Sequence, residues 1–209
     1  LVLRRQRQMC IRDRYNNKKL PFKYEHLESK DEVIIEQDLV TKTRKIKDFK
    51  DYLSFLKSNK IIVDHNERKE IILKKIYSFS QSKQYKETLN PKLLEEVVNI
   101  VEDPNLLHIS FNKDYLEIPK EIIISTLEKH QRYFPTFDSR NRLTNYFFVV
   151  ANKKDENKLI TQGNKRVVEA RLADAKFFWD KDRSKNLIKQ IANLRSVTCL
   201  LYTSPSPRD

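Results

Sequence analysis

Four histidines, His26, His65, His108 and His130, are the residues from which metal or acid–base chemistry would have to be built. None has a second histidine at metal-ligand spacing, and Asp64-His65 runs in the reverse order to the metal-holding His-Asp pair of phosphohydrolases. Cys10 and Cys199 lie towards the two ends, so neither a disulfide framework nor a cysteine zinc site is indicated. With Gly163 as the only glycine, no glycine-rich phosphate loop can form. No serine or cysteine nucleophile with a partner base is visible. The residue types point away from bond-making by this chain alone: no catalytic residue, no metal ligand and no bound cofactor is expected.

Charge next to aromatic rings is a different matter. Lys129-His130-Gln131-Arg132-Tyr133-Phe134-Pro135 sets cations beside rings, and Arg140 and Arg142 follow in a polar turn. Lysine and arginine neutralise phosphates, while tyrosine and histidine stack on exposed bases. The same pattern also describes a solvated turn with core aromatics, and residue chemistry alone slightly favours that plainer reading. A second basic pair, Lys165-Arg166, follows Gly163. Gly163 itself stands at the mouth of a long helix, where a lone glycine suggests a positive φ or a close approach. Behind it Val167, Ala170, Ala175 and Phe178 are expected to form the buried face, with Arg171 and Asp174 paired one turn apart.

The elements that must position these residues can be taken in order. Residues 18–25 and 32–36 read as short strands around a polar turn at His26–Asp31. Ile46, Phe49, Tyr52, Leu53 and Leu56 recur at helical spacing, predicting a helix over 46–58. Asp64 and Glu67 have the form of a capping box before a helix over 65–80, and Ser80–Thr88 reads as a loop. Asn90-Pro91 is a strong helix start, followed by the apolar face Leu93, Leu94, Val97, Val98 and Val101. Leu106–Phe111 is predicted as a strand, Asn112-Lys113-Asp114 as a turn and Tyr115–Ile118 as the returning strand. A helix over 119–129, an extended Gln131–Phe137, a turn at Asp138–Arg142 and a central strand Tyr146–Ala151 follow. Short and long helices over 155–161 and 164–182, then a last one over Ser184–Leu194, complete the pattern. Hairpins interleaved with helices predict an α+β fold: a short antiparallel or mixed sheet, several packed amphipathic helices and a helical segment to finish.

The ends do not match the middle. Residues 1–14 contain five arginines and no lysine, and residues 200–209 form a Ser/Pro tail. Both resemble translated adapter or vector sequence, the alternative being natural tails, and both are set apart as non-native extensions. The whole chain has 42 basic and 29 acidic residues, net +13. Removing the ends, which hold six basic and two acidic residues, leaves 36 and 27, net +9. That balance suits a polyanionic partner, although lysine richness also follows from an AT-rich genome. No apolar run approaches the ~20 residues needed to cross a bilayer, so no membrane association and a cytoplasmic location are expected.

Three blocks then acquire a common meaning. His130-Gln131-Arg132-Tyr133-Phe134-Pro135, Tyr146-Phe147 with Val150-Ala151-Asn152, and Gly163-Asn164 through Val167, Arg171-Leu172-Ala173-Asp174-Ala175 to Phe177-Phe178 resemble, in order and spacing, the bacterial glycyl-tRNA synthetase β subunit. Ile62-Val63-Asp64 with Glu67-Arg68, and Leu93-Leu94-Glu95-Glu96-Val97 with Pro104, resemble it upstream, so the likeness spans about 15–198. It departs at Glu36-Gln37-Asp38-Leu39, where the family has a Gly-His-Arg-Phe-like motif.

The resemblance implies an internal fragment of a several-fold longer subunit: an α+β region over 15–152 and a helical segment over 153–199 leading towards a missing HD-type domain. It implies an α2β2 glycine–tRNA ligase in which the α subunit uses ATP and Mg²⁺ to make glycyl-adenylate, while the β subunit binds tRNA(Gly). The tRNA-contact candidates are Lys129, Arg132, Arg140, Arg142, Lys165 and Arg166. Two other readings stay open, a stand-alone basic RNA-binding module and a purely structural subunit-interface segment, with a hydrolase third.

Overall fold

A computed structural model of the chain describes residues 14–15, 18–19, 23–24, 27–28, 32–37, 40–86 and 89–184. Apart from Arg14 and Ser184, the two terminal extensions and the helix expected over Ser184–Leu194 lie outside the described residues, as does most of the expected turn His26–Asp31. The described part divides after Arg68 into two compact units.

In the first unit, residues 18–25 are not one strand. Four dipeptide strands form two antiparallel ladders, β1 (Arg14–Tyr15) with β2 (Lys18–Lys19) and β3 (Lys23–Tyr24) with β4 (Leu27–Glu28). The next hairpin is longer: β5 (Glu32–Gln37) pairs antiparallel with β6 (Val40–Lys45), in the register Val33↔Arg44 and Ile35↔Lys42. Period-2 alternation buries Val33 and Ile35 while Ile34 stays outside. Helix α1 (Phe49–Ser58) opens on Asp48, whose carboxylate accepts the Asp51 N–H at 2.8 Å. Tyr52, Phe55 and Leu56 close the small core with Val33, Ile35, Ile46 and Ile61. Asn59, buried at the helix end, donates to the Phe55 carbonyl at 2.8 Å and accepts from Lys42 Nζ at 2.8 Å.

The second unit is a three-layer arrangement around one antiparallel sheet. Its elements are α2 (His65–Lys83, counted here from Lys69), α3 (Pro91–Ile100), β7 (Asn105–Ser110), α4 (Lys120–Ser125), β8 (Phe134–Phe137), β9 (Leu143–Ala151) and α5 (Leu159–Arg183). Strand order is β7-β9-β8, so the apolar run expected to be central is central. Its side chains alternate between two cores. Phe148 and Val150, with Leu106 and Phe134, meet Ile72 and Ile76 of α2 and Leu94, Val97 and Val98 of α3. Phe147 and Val149, with Leu107 and Ile109, meet Ile123, Leu127, Val168 and Leu172. The observed fold is α+β, with antiparallel sheets and a closing helix among the described residues.

Several boundaries moved for local reasons. Helix α2 continues to Lys83 rather than ending at Ser80, because Gln84 adopts the left-handed conformation (φ 57°) and the Tyr85 N–H returns to the Ser80 carbonyl at 2.9 Å. Asp64 accepts the Asn66 N–H at 2.8 Å, one residue short of a capping-box contact. The Asn90 cap is as expected, its side chain accepting the Lys92 N–H at 3.1 Å. Tyr115–Ile118 is not a strand. Asn112 accepts the Asp114 N–H at 3.2 Å, the Ile118 N–H returns to the Tyr115 carbonyl at 3.2 Å, and Lys113–Glu117 coils into a 3₁₀ turn. The ladder of β7 goes instead to β9, Ile109 facing Phe147. The helix over 119–129 divides into α4 and a π turn, Thr126–Gln131.

Helix α5 corrects the reading of the lone glycine. One continuous 25-residue helix replaces the two expected, and Gly163 lies inside it with no positive φ. The left-handed residue is Lys158 (φ 56°), and Asp155 holds the first turn by accepting the N–H groups of Ile160 at 2.9 Å and Thr161 at 2.8 Å. The buried residues are Val168 and Leu172, with Ala175 partly covered; Val167, Ala170 and Phe178 are exposed. The inward face is therefore rotated from the one expected. Arg171 and Asp174 do not pair among the described residues; instead Lys165 pairs with Glu169 within the helix, at 3.8 Å, and Lys176 with Glu117 outside it.

Candidate nucleic-acid interface

The basic–aromatic block sits where the π turn hands over to β8. Leu127 is fully buried and its carbonyl receives the Tyr133 N–H at 2.9 Å. Arg132 between them turns the chain through the left-handed region (φ 62°, ψ 38°). A non-glycine residue there is uncommon and needs the surroundings to hold it. They do so. The Arg132 guanidinium forms an ion pair with Glu96 on α3 and donates to the Lys129 carbonyl. Its backbone N–H also returns to the Glu128 carbonyl at 3.2 Å, and Glu128 in turn accepts from Asn90 Nδ2 at 2.9 Å.

Tyr133 is half core and half tether. Its ring stacks on Phe147 with centroids 5.4 Å apart, and burial pushes its phenol above the ordinary tyrosine range. The hydroxyl donates to Asn164 Oδ1, and Asn164 Nδ2 donates to the Ile160 carbonyl at 2.7 Å. This chain of bonds brings the first turns of α5, with Lys165 and Arg166 on its exposed side, to the 129–133 segment.

Arg140 and Arg142 lie elsewhere, at the tip of the β8–β9 hairpin. A strand advances about 3.3 Å per residue, so four residues of β8 separate that tip from Tyr133 by roughly 15 Å. Asp138 organises the tip. One oxygen accepts the backbone N–H groups of Arg140 at 2.9 Å and Arg142 at 2.8 Å, and the other accepts Arg142 Nε at 2.8 Å. The Arg142 N–H is the strongest influence holding the Asp138 carboxyl below its usual range, and the Arg142 guanidinium adds to it. Lys86 closes the tip from outside, donating to Asn141 Oδ1 at 3.1 Å.

The six candidates therefore form two groups. Arg132 and Arg142 are held by Glu96 and Asp138, and Lys165 lies beside Glu169. Among the described residues the side chains of Lys129, Arg140 and Arg166 are exposed and have no ion pair or hydrogen bond. A free guanidinium or ammonium offers its donors outward, which suits phosphate oxygens.

Another cluster escaped the residue-by-residue reading. On the opposite face of the sheet His108 stacks on Tyr146 (4.7 Å, 8°), and the Tyr85 hydroxyl lies 3.1 Å from His108 Nε2. Burial first, then nearby Lys83, lowers the His108 pKa. The i, i+4 pair Asp138–Arg142 was the one signal in the sequence that could have disclosed a committed arginine; nothing local marks His108 as Tyr146's neighbour. Among the described residues no group of three His, Cys, Asp or Glu could hold a metal ion, and no helix is long and apolar enough to cross a membrane.

Residues 8–200 match the family described as glycyl-tRNA synthetase beta subunit. The glycine–tRNA ligase beta subunit of Listeria welshimeri is 36% identical over 157 residues, 75% of this chain and 23% of that protein. Those of Buchnera aphidicola subsp. Acyrthosiphon pisum are 39% identical over 174 residues (strain APS; 82% of this chain, 24% of the relative) and 40% over 155 residues (strain Tuc7; 73% and 22%). The chain spans under a quarter of the length of these curated relatives.

Proposed function

The chain belongs to the glycyl-tRNA synthetase β-subunit family, and from that premise we propose that it forms part of a glycine–tRNA ligase acting in the cytoplasm. In this reading it works within an α2β2 assembly, and the α subunit carries out the ATP- and Mg²⁺-dependent activation of glycine. The present residues contribute tRNA(Gly) contact and no catalytic group. The observation that carries the tRNA role is the set of exposed cationic side chains, Lys129, Arg140 and Arg166, that have no partner among the described residues. Arg132, Arg142 and Lys165 serve these two groups indirectly. The first two hold the π turn and the hairpin tip in shape, and Lys165 adds charge beside Glu169.

Phosphate contact predicts a particular dependence on salt. Each neutralised phosphate contributes about 0.7–0.9 to the slope of log affinity against log salt. Replacing Lys129, Arg140 and Arg166 together by alanine in the assembled ligase should flatten that slope by about 2. The KM for tRNA should rise, while ATP–pyrophosphate exchange with glycine stays unchanged. An unchanged slope and KM would refute tRNA contact here and favour the purely structural reading, to which the Arg132–Glu96 and Arg142–Asp138 pairs already lend support.

A further inference from the structure

Helix α5 carries two apolar faces, and the second unit covers only one of them. At 100° per residue, Asn164, Val168, Leu172 and Ala175 fall within one sector, the sector packed on the sheet. Gly163, Val167, Ala170, Phe177 and Phe178, with Asp174 among them, fall within a second sector centred about 130° from the first. Val167 is 43% exposed, Phe177 60% and Phe178 59%. The two phenylalanines meet edge to face at 5.4 Å, and Lys181 lies 5.6 Å from the Phe177 ring centre. A soluble surface tolerates single exposed apolar residues; here several share one side of the helix with the exposed Asp174 set among them, and such a gathering of apolar side chains beside charge marks a contact.

Gly163 fits the same stripe. A glycine inside a helix costs about 1 kcal/mol relative to alanine. Here no positive φ demands it, and a Cβ at this position would meet nothing within 4 Å. Its lack of a side chain becomes useful only if another backbone approaches closely. The stripe thus runs from Gly163 through Val167 and Ala170, past Asp174, to a pair of large rings, a face against which one crossing element can settle.

We propose that this outward stripe of α5 is the docking surface for another segment of the same β-subunit polypeptide. The inference rests on the reading of the chain as part of that subunit. The curated relatives devote more than three quarters of their length to residues outside the matched segment. A covalently linked partner also has the advantage of high effective concentration over a second copy or a separate subunit.

The test compares amide hydrogen exchange over 160–180 in this 209-residue chain and in the complete β subunit that carries it. Protection should be at least tenfold higher in the complete subunit, at all protein concentrations and without the α subunit. Phe177→Ser with Phe178→Ser should abolish the extra protection and leave the short chain unaltered. Gly163→Leu should act in opposite directions, raising protection of α5 in the short chain and lowering it in the complete subunit. Equal protection in the two proteins would overturn the proposal. So would protection of the short chain that grows with its concentration, which indicates a second copy, or protection that appears only on adding the α subunit. A complete subunit that passes but does not support glycine charging would refute the ligase reading and leave the docking surface standing.

Discussion

Truncating Leu172 should destabilise the second unit far more than truncating Val167, five positions earlier on the same helix. Leu172 is fully buried among Ile109, Ile123, Leu127, Phe147 and Val149, whereas Val167 is 43% exposed. Leu172→Ala removes three carbons from a closed core. At about 0.8 kcal/mol per buried methylene the transfer loss alone is about 2.4 kcal/mol. The cavity adds to it, placing the total at about 3 kcal/mol within the usual range of roughly 2–5. For a unit of this size that is a fall in Tm of about 6–12 °C. Val167→Ala loses little burial and gains helix propensity, so its effect should stay within about 0.5 kcal/mol. The only tryptophan of the chain, Trp179, lies on α5 and is half-buried, so its fluorescence during urea unfolding reports on the relevant helix. Equal costs for the two substitutions would show that the assigned faces of α5 are wrong. A cost below about 1 kcal/mol for Leu172→Ala would show that the helix does not pack on the sheet at all.

Two further outcomes concern titration. His108 has a folded pKa depressed below 6.5 by burial and by Lys83, so the unfolded chain binds the proton more readily. Its contribution to stability is complete above pH 6.5 and is lost as pH falls through 6.5 towards the folded value; unfolding of His108→Gln followed against pH should lack that loss. Asp138 is depressed below 3.8 chiefly by the Arg142 N–H, with the guanidinium assisting. NMR titration should place its midpoint under 3.8, and Arg142→Ala should move it upward; the stability it supplies is present above about pH 3.8 and disappears as pH falls through the folded pKa. No upward movement in the Arg142→Ala protein would discount the side-chain contribution at the hairpin tip.

What the residues disclosed in advance was governed by how local the deciding interaction is. The Asn90-Pro91 cap acts within three residues, and α3 begins where that chemistry puts it. The central strand was legible because Tyr146–Ala151 is a run rich in β-formers, although the strand itself begins three residues earlier, at Leu143. Tyr115–Ile118 misled because its short apolar run could pair or coil. Asn112 tips the balance by capping a 3₁₀ turn, while the competing strand for β7 is some thirty residues further on. Non-local pairing of that kind leaves no mark in a short window.

The site follows the same rule. The positions of six basic residues were plain from the sequence, but their availability was not, since that depends on carboxylates elsewhere. Arg132 reads as the centre of a basic block until α3 brings Glu96 against it. Arg140 and Arg142 look equivalent in the turn, yet Asp138 takes the guanidinium of one and only the backbone N–H of the other. Helix α5 makes the point most sharply. Its residues satisfy two apolar periodicities at once, so spacing alone cannot say which face the sheet covers. The conflict between Val167 with Phe178 and Val168 with Leu172 is resolved only by the sheet, and the face left over then becomes informative. If both stripes are in use, Leu172→Ala should weaken the short chain and the complete subunit alike, whereas the Phe177/Phe178 pair should matter only in the latter. That difference separates a helix buried on two sides from one with a merely greasy outer surface.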